Sequence, residues 1–166
     1  MTATLGSAAT AKVLERITGQ DGMNATLAAL TTPGNALAVT LGPSQIRAQN
    51  VAADLADRTS SILFPSVNIY CEKIVNDLTE KFRSFSGSIQ MAIDVRHSQD
   101  KLEGLQGALE LYADSLIQSL DATRGDWGDG MFYGGGYEVA LGAVKHGGKN
   151  FVQAAKITFR IGVSRS

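Results

Sequence analysis

Cysteine, histidine and long apolar runs are scarce in this sequence of 166 residues. The single cysteine, Cys71, excludes an internal disulfide framework and any cysteine-rich zinc site. No uninterrupted apolar stretch approaches the roughly 18–20 residues that a membrane-spanning helix requires. The first residues also lack the basic start and apolar run of a secretory signal. We therefore expect a protein that is made in a reducing cytoplasm and does not enter a membrane.

Net charge is also small, at −1, so the chain is not a polycation built to coat nucleic acid. Apolar residues make up 44% of the sequence and charged residues 19%, which supplies enough apolar surface for a core and excludes wholesale disorder. The length suits one domain with an appendage. This composition favours a soluble protein that mixes helices and strands.

The charges that are present are distributed unevenly along the chain. Residues 99–130 carry two basic and seven acidic side chains, a net charge of −5, whereas residues 131–166 carry five basic and one acidic, a net charge of +4. Either the two segments neutralise each other within one molecule, or the acidic surface of one subunit meets the basic surface of the next in a head-to-tail contact that can close into a ring. The candidate subunit-interface residues are Asp100, Glu103, Glu110, Asp114, Lys145, Lys149, Lys156 and Arg160.

Two segments in the middle of the chain alternate like half-buried strands. In the first, apolar residues share one parity from Val67 to Val75. In the second, from Ile89 to Val95, they alternate regularly with polar or small residues. A polar and aromatic connection, residues 81–87, joins the two segments.

The long segment 99–124 has the pattern of an amphipathic helix. From Leu102 to Leu120 its apolar residues are three or four positions apart and form one stripe. Ser98 can cap the helix and Gly125 can end it. Two further strands are predicted near the end of the chain by alternation over residues 137–143 and 151–163, with a Gly-Gly turn between them.

A glycine-rich loop, residues 125–136, separates the helix from these last strands. Aromatic residues held on such a loop suit a partner interface. An alternative is that Trp127 folds back over the edge of the sheet. The candidate partner-contact residues are Trp127, Phe132, Tyr133 and Tyr137.

These elements predict an α+β fold. Residues 61–166 are expected to form an antiparallel sheet of about four strands, in the order β-β-α-β-β, with one long helix across a face. Its opposite face is too polar for a second core and is expected to meet water or another subunit. Residues 1–60 are expected to form a partly helical N-terminal extension. It would include short helices near residues 7–19 and 25–30, a short strand at 37–41 and a helix at 44–58.

Residues with catalytic potential do not form a recognisable constellation. His97 and His146 have no second ligand at helical or strand spacing, and Cys71 lies within a predicted strand. The segment 125–130 closes a helix instead of following a strand, unlike a nucleotide-binding loop, and it lacks the spacing of a calcium loop. We assign no catalytic, metal-binding or cofactor-binding residue and expect no cofactor. A small enzyme or ligand-binding domain around Asp94, His97 and residues 126–136 is kept as the alternative class.

Four segments together resemble the tail-terminator and tail-completion proteins of tailed bacteriophages. Phe64–Tyr70 has a proline before the first strand, and Gly87–His97 is the second strand of the hairpin. Asp100–Asp121 is the long helix, and Asn150–Val163 is the returning strand. The resemblance covers roughly the last hundred residues and excludes the first sixty.

That resemblance implies a structural role without catalytic residues. Proteins of this family form hexameric rings at the head-proximal end of the tail tube, stop its polymerisation and offer a docking surface to the head connector. DNA passes through their channel without sequence-specific binding. The expected location is the tail or neck of a virion assembled in the host cytoplasm. A tail-tube subunit or another head–tail connector subunit is the neighbouring alternative, and a tube subunit would be expected to have two packed sheets.

Overall fold

The computed structural model describes residues 4–30, 40–50 and 63–166. Its helices are α1 (Leu5–Thr18), α2 (Met23–Leu30) and α3 (Leu105–Asp121). Its strands are β1 (Ile46–Arg47), β2 (Ser66–Asn76), β3 (Phe85–Gln99), β4 (Gly125–Gly128), β5 (Met131–Tyr133), β6 (Tyr137–Leu141), β7 (Lys145–Gly147) and β8 (Asn150–Arg165). Among these residues, no helix combines the length and apolar character needed to cross a membrane.

All eight strands belong to one curled sheet organised around β8. The strand order is β1-β2-β3-β8-β5-β4, and β6 and β7 also pair with β8. One edge of β8 pairs with β3 along its length, from Phe85 opposite Arg165 to Gln99 opposite Phe151. Its other edge is shared in turn by β7, β6 and β5. Only the short β1–β2 contact is parallel among the described pairs.

The expected α+β sheet of about four strands with one long helix is therefore wrong. The described chain is a mixed α/β fold with eight strands in one sheet, two helices near its start and one helix between β3 and β4. The segment expected to be a glycine-rich loop instead forms the β4–β5 hairpin, whose turn residues Gly128, Asp129 and Gly130 all have positive φ. Strands of three to five residues contain too few alternations to be distinguished from a loop.

A β-bulge in β2 reverses the predicted parity of its second half. Cys71 pairs with Met91, but Lys73 pairs with Gln90, so Glu72 is the extra residue. Because side chains alternate between faces, one inserted residue moves every later side chain to the other face. Val75, predicted to share the buried parity, therefore lies opposite Ser88.

Helix α3 is shorter than the predicted helix over 99–124. Gln99 still pairs with Phe151 as the last residue of β3, and the helix begins only at Leu105, after Gly104 with φ 79°. Leu102 therefore precedes the helix and is 57% exposed. The remaining stripe, including Leu109 and Leu116, is completely buried against the sheet.

Helices α1 and α2 share the core formed by α3 and one face of the sheet. Val13, Ile17 and Leu27 belong to the same buried cluster as the sheet residues. The hydroxyls of Thr26 in α2 and Ser119 in α3 are hydrogen-bonded at 3.1 Å. We call this helix-covered side of the sheet the core face and the opposite side of β2, β3 and β8 the outer face.

Two predicted elements of residues 1–60 fall partly outside the described residues. Residues 37–39 of the predicted strand and residues 51–58 of the predicted helix are not described. The beginning of that predicted helix is wrong, because residues 46–47 form β1 and pair with Val67 and Asn68.

Replacing Leu116 with alanine is expected to lower the free energy of unfolding by about 2–5 kcal/mol, because the shorter side chain leaves a cavity beneath α3. The same substitution at the exposed Leu102 is expected to change it by less than about 0.5 kcal/mol. Urea titration followed by circular dichroism measures both values. Equal losses in the two variants would contradict the position of Leu102 outside the packed helix.

Candidate functional site

The outer face carries a row of polar side chains across three strands. On this face Asp94 of β3 lies opposite Lys156 of β8, and Gln90 lies opposite Arg160. Strand β2 adds Tyr70, opposite Ala92. Because polar residues occupy this parity on every strand, the face cannot form a second apolar core.

Glu72, the bulged residue of β2, connects the three strands on the outer face. Its Oε1 accepts a hydrogen bond from Lys156 Nζ, and its Oε2 accepts one of 2.8 Å from Gln90 Nε2. The hydrogen bond from Lys156 is the main reason why the pKa of Glu72 lies below its usual value. The bulge thus places a carboxylate where it reaches both β3 and β8.

Asp94 and Tyr70 form a second, more buried pair on the same face. The Tyr70 hydroxyl donates a 3.1 Å hydrogen bond to Asp94 Oδ2. Burial raises the pKa of Asp94, although the Tyr70 hydrogen bond and the positive charges of Arg96 and Lys156 oppose that shift. Burial and the neighbouring carboxylate raise the pKa of Tyr70 as well. The hydroxyl of Tyr70 therefore remains protonated and acts as a donor.

The structure places the predicted acidic interface residues on and before α3. Asp100 and Glu103 lie in the connection from β3, whereas Glu110 and Asp114 lie on the helix, and all four are exposed. Glu110 accepts a 3.1 Å hydrogen bond from Gln106. We call Asp100, Glu103, Glu110 and Asp114 the acidic set.

The predicted basic interface residues are spread along the last hairpin. Lys145 lies in β7 and Lys149 in the following turn, both exposed, while Lys156 and Arg160 lie on the outer face of β8. We call these four residues the basic set. Within the described ranges, no ion pair joins the two sets, since Lys156 binds Glu72 instead.

Two of the four predicted aromatic contact residues are buried within the molecule. Trp127 is 5% exposed, and its Nε1 donates a 2.6 Å hydrogen bond to the Thr123 carbonyl. Its ring centroid lies 4.2 Å from the Arg16 guanidinium carbon and 5.2 Å from the Tyr133 centroid. Trp127 thus packs back against the molecule, the alternative considered from the sequence. Tyr133 packs on Phe159 in the core.

The other two, Phe132 and Tyr137, remain exposed. Phe132 points away from the core because its neighbours Met131 and Tyr133 occupy the buried parity. Tyr137 begins β6 after the Gly135–Gly136 segment, at a groove of about 380 Å³ that Gln90 and Arg160 also line. Of the four predicted contact residues, these two present their aromatic side chains to a partner.

The tip of the β2–β3 hairpin presents two further apolar side chains that sequence reasoning missed. Leu78 is more than half exposed and Phe82 is fully exposed, and both have positive φ, at 49° and 62°. Ser86 anchors this tip, because its Oγ accepts a 3.1 Å hydrogen bond from the Glu80 backbone N–H. The only sequence signal was an aromatic residue within a polar connection, which does not distinguish an exposed ring from a buried one.

Histidine and cysteine side chains are dispersed across the structure. His97 packs edge-on against Tyr112 at 5.3 Å, and burial lowers its pKa. His146 packs against Phe151. Cys71 lies under α1, and burial raises the pKa of its thiol. Over residues 4–30, 40–50 and 63–166, no three His, Cys, Asp or Glu side chains are grouped to hold a metal ion.

Glu72 and Asp94 are expected to give the stability opposite pH dependences. The folded pKa of Glu72 lies below its unfolded value of about 4.3, so its contribution is present above that pH and is lost as the pH falls through the folded pKa. The folded pKa of Asp94 lies above its unfolded value of about 3.9. Its effect is therefore a loss of stability as the pH rises from about 4 through the folded pKa.

Urea unfolding of wild type, Glu72→Gln and Asp94→Asn between about pH 3 and 7 measures these slopes. The advantage of wild type over Glu72→Gln is expected to grow with pH, by less than about 1 kcal/mol because the pair is partly solvated. Relative to Asp94→Asn, wild type is expected to weaken as the pH rises. If the stability difference between wild type and variant changes with pH in the same direction for both variants, the environments described for Glu72 and Asp94 are contradicted.

Comparison with known proteins leaves the family undetermined. No family model matches the sequence, and no curated protein is similar to it.

Proposed function

We propose that this protein is a structural virion component of a tailed phage, a tail terminator or neck ring that caps the tail tube and joins it to the head connector. The supporting observation is the order hairpin, long helix and long returning strand. Elements β2, β3, α3 and β8 overlap, in that order, the four segments that resemble this family. The short strands between α3 and β8 are additions to that pattern.

Charge placement supports assembly into a ring. The acidic and basic sets have no mutual ion pairs within the described chain. Lys156 is bound by Glu72, so the acidic set and the rest of the basic set are the charges available to a neighbouring subunit. A contact between unlike surfaces is heterologous and closes into a ring when the rotation permits. We propose a homo-oligomer, with six subunits as the number that the resemblance implies.

The outer face supports a role in which DNA passes without being held. Lys156, the cation at its centre, is neutralised by Glu72. The neighbouring Asp94 adds an acidic group close to Tyr70. The face also carries the exposed cations Lys73 and Arg160, and Glu72, Asp94 and Glu138 offset the positive charge of Lys73, Lys156 and Arg160. Because this near balance leaves little net positive charge to replace counterions, we expect the face to bind duplex DNA weakly. The proposed partners are copies of the chain, the tail tube protein and the head connector protein.

A tail-tube subunit is the neighbouring function, and the sheet arrangement favours the terminator. Two packed sheets were expected of a tube subunit. Here the described strands form one sheet whose core face is covered by α1 and α3.

The direct test combines the purified protein with its own tail tube protein. Mass photometry is expected to show a discrete oligomer, and electron microscopy is expected to show it only at one end of each tube. Incorporation along the tube would indicate a tube subunit. A protein that stays monomeric and never binds tubes would overturn the proposal.

Replacing Asp114 with lysine is expected to raise the subunit concentration at half-assembly by roughly threefold to tenfold, because it puts a positive charge within the acidic set. Asp21→Lys is the matched control, since it makes the same charge change at an exposed position outside the set. Raising salt from about 0.05 M to 0.5 M is expected to weaken wild-type assembly as well. Sedimentation velocity measures the effects of the two substitutions and of salt on assembly. Equal effects of the two substitutions would contradict a role for the acidic set.

A further inference from the structure

Among the described residues, the band of strands β2, β3, β8 and β6 has an unpaired edge on each side. Strand β6 pairs with β8 and with no other strand of the described residues. On the other side, β1 covers only Val67 and Asn68 of β2. Beyond them, no described strand except β3 pairs with β2. We call Tyr137–Leu141 the β6 edge and Cys71–Asn76 the β2 edge.

Hydrogen bonds at their ends show which backbone groups these edges present. The Gly142 N–H donates to the Ala154 carbonyl at 2.9 Å, in register with the β6–β8 pairing. Because alternate residues of a strand point to opposite sides, Tyr137, Val139 and Leu141 direct their N–H and C=O groups away from β8. On the other side, the Val67 N–H donates to Gln45 and points away from β3. Beyond the bulge at Glu72, Ile74 pairs with Ile89, which has the same parity as Val95, the partner of Val67, so the backbone groups of Ile74 also point away from β3. An open edge of this kind is a template for another strand.

The side chains on the two edges are complementary. On the core-face side, Tyr137 and Leu141 of the β6 edge are 50% and 42% exposed, and Ile74 of the β2 edge is 48% exposed. On the outer-face side, the β6 edge carries Glu138 and the β2 edge carries Lys73. Both charges are exposed, and neither has an ion-pair partner in the described part of the chain. Each edge thus offers an apolar row and one charge without an ion-pair partner, and these two charges are opposite; Glu72, also on the β2 edge, is already bound by Lys156.

Strand direction also permits copies to join by these edges. Neighbouring strands in β2-β3-β8-β6 are antiparallel throughout, so β2 and β6 run in opposite directions. In a ring every copy has the same orientation relative to the ring axis. Strand β6 of one copy therefore runs antiparallel to β2 of the next copy. A band with an even number of antiparallel strands repeats head to tail without a parallel pair.

We propose that the β6 edge of one copy pairs with the β2 edge of the next, so that the ring is held by one continuous antiparallel sheet. This inference rests on the proposed function for the ring itself and names the surfaces that form it. Placing Ile74 opposite Tyr137 or Val139 brings Lys73 opposite or diagonal to Glu138 on the outer face, within reach of an ion pair.

Charge disfavours the symmetric alternative, in which β6 pairs with β6 of a second copy. Gln106 of α3 contacts Gln153, which also binds the Gly142 carbonyl at the end of β6. Glu110, bonded to Gln106, lies one turn farther along the same flank of the helix. A two-fold β6 contact would bring the two acidic flanks together, whereas the β2 edge offers Lys73.

The backbone test replaces Leu141 with proline, with Leu141→Ala as the matched control. Both variants lose the same exposed side chain, but only proline removes an N–H that points away from β8. Leu141→Pro is expected to abolish the oligomer in mass photometry, and Leu141→Ala is expected to weaken it by less than roughly tenfold. Equal assembly of the two variants would overturn the proposed pairing.

The charge test does not depend on whether the proline variant folds. Glu138→Lys and Lys73→Glu, each alone, are expected to raise the concentration at half-assembly by roughly threefold to tenfold. An equimolar mixture of the two variants is expected to restore assembly, because their contacts then pair unlike charges. If the mixture has the same concentration at half-assembly as the single variants, the proposed contact between Glu138 and Lys73 is overturned.

These results separate the interface from the ring. If wild type forms rings that cap tubes while the proline and charge variants assemble as wild type does, the edge pairing is overturned and the proposed function stands. If rings form through these edges but never bind a tube, the pairing stands and the proposed function is overturned. A wild type that is monomeric at every concentration overturns both.

Discussion

The pairing of β8 on both edges is the constraint on which the rest of the structure depends. Its 16 residues hydrogen-bond to β3 on one side and to β5, β6 and β7 on the other. The core-face residues of β8, such as Ile157 and Ile161, are completely buried because α3 covers that side. The same pairing aligns the outer-face residues in cross-strand register, which brings Lys156 close to Glu72. The pairing of β8 therefore positions the core, the polar outer face and the strand edges.

The centre of the polar outer face is a connected network of hydrogen bonds. The Glu72 carboxylate is bound by Gln90 and Lys156, and Asp94 by Tyr70. Polar side chains that are hydrogen-bonded across strands in this way help to maintain the register of neighbouring strands. The groups left for partners are found at the margins: the hairpin tip, Phe132, the acidic set and the two strand edges.

The sequence predicted the long, regular elements well. Alternation located β3 and β8, and helical spacing located α3, because each contains many repeats of its period. It failed where a single residue changed the pattern. Glu72 reversed the parity of Val75, and the continuation of β3 to Gln99 displaced Leu102 from the helix. Trp127 was ambiguous because its burial depends on Arg16, which is distant in sequence, and on the β4–β5 pairing that brings Tyr133 beside it. The segregation of charge along the chain could be predicted from the sequence. The unpaired edges of β2 and β6 could not, because they depend on the order of strands in the sheet.

The position of β8 also affects how the protein folds as it is synthesised. It follows every other described strand along the chain, yet β3, β5, β6 and β7 all require it as their partner. Until residues 150–165 have emerged from the ribosome, one edge of β3 is unpaired, and α3 lacks the β8 part of the sheet against which it packs. Such non-local pairing is slow and leaves apolar strands exposed during folding. Folding of the sheet therefore waits until β8 has been synthesised, and a chain that stops before residue 150 is expected to be prone to aggregation.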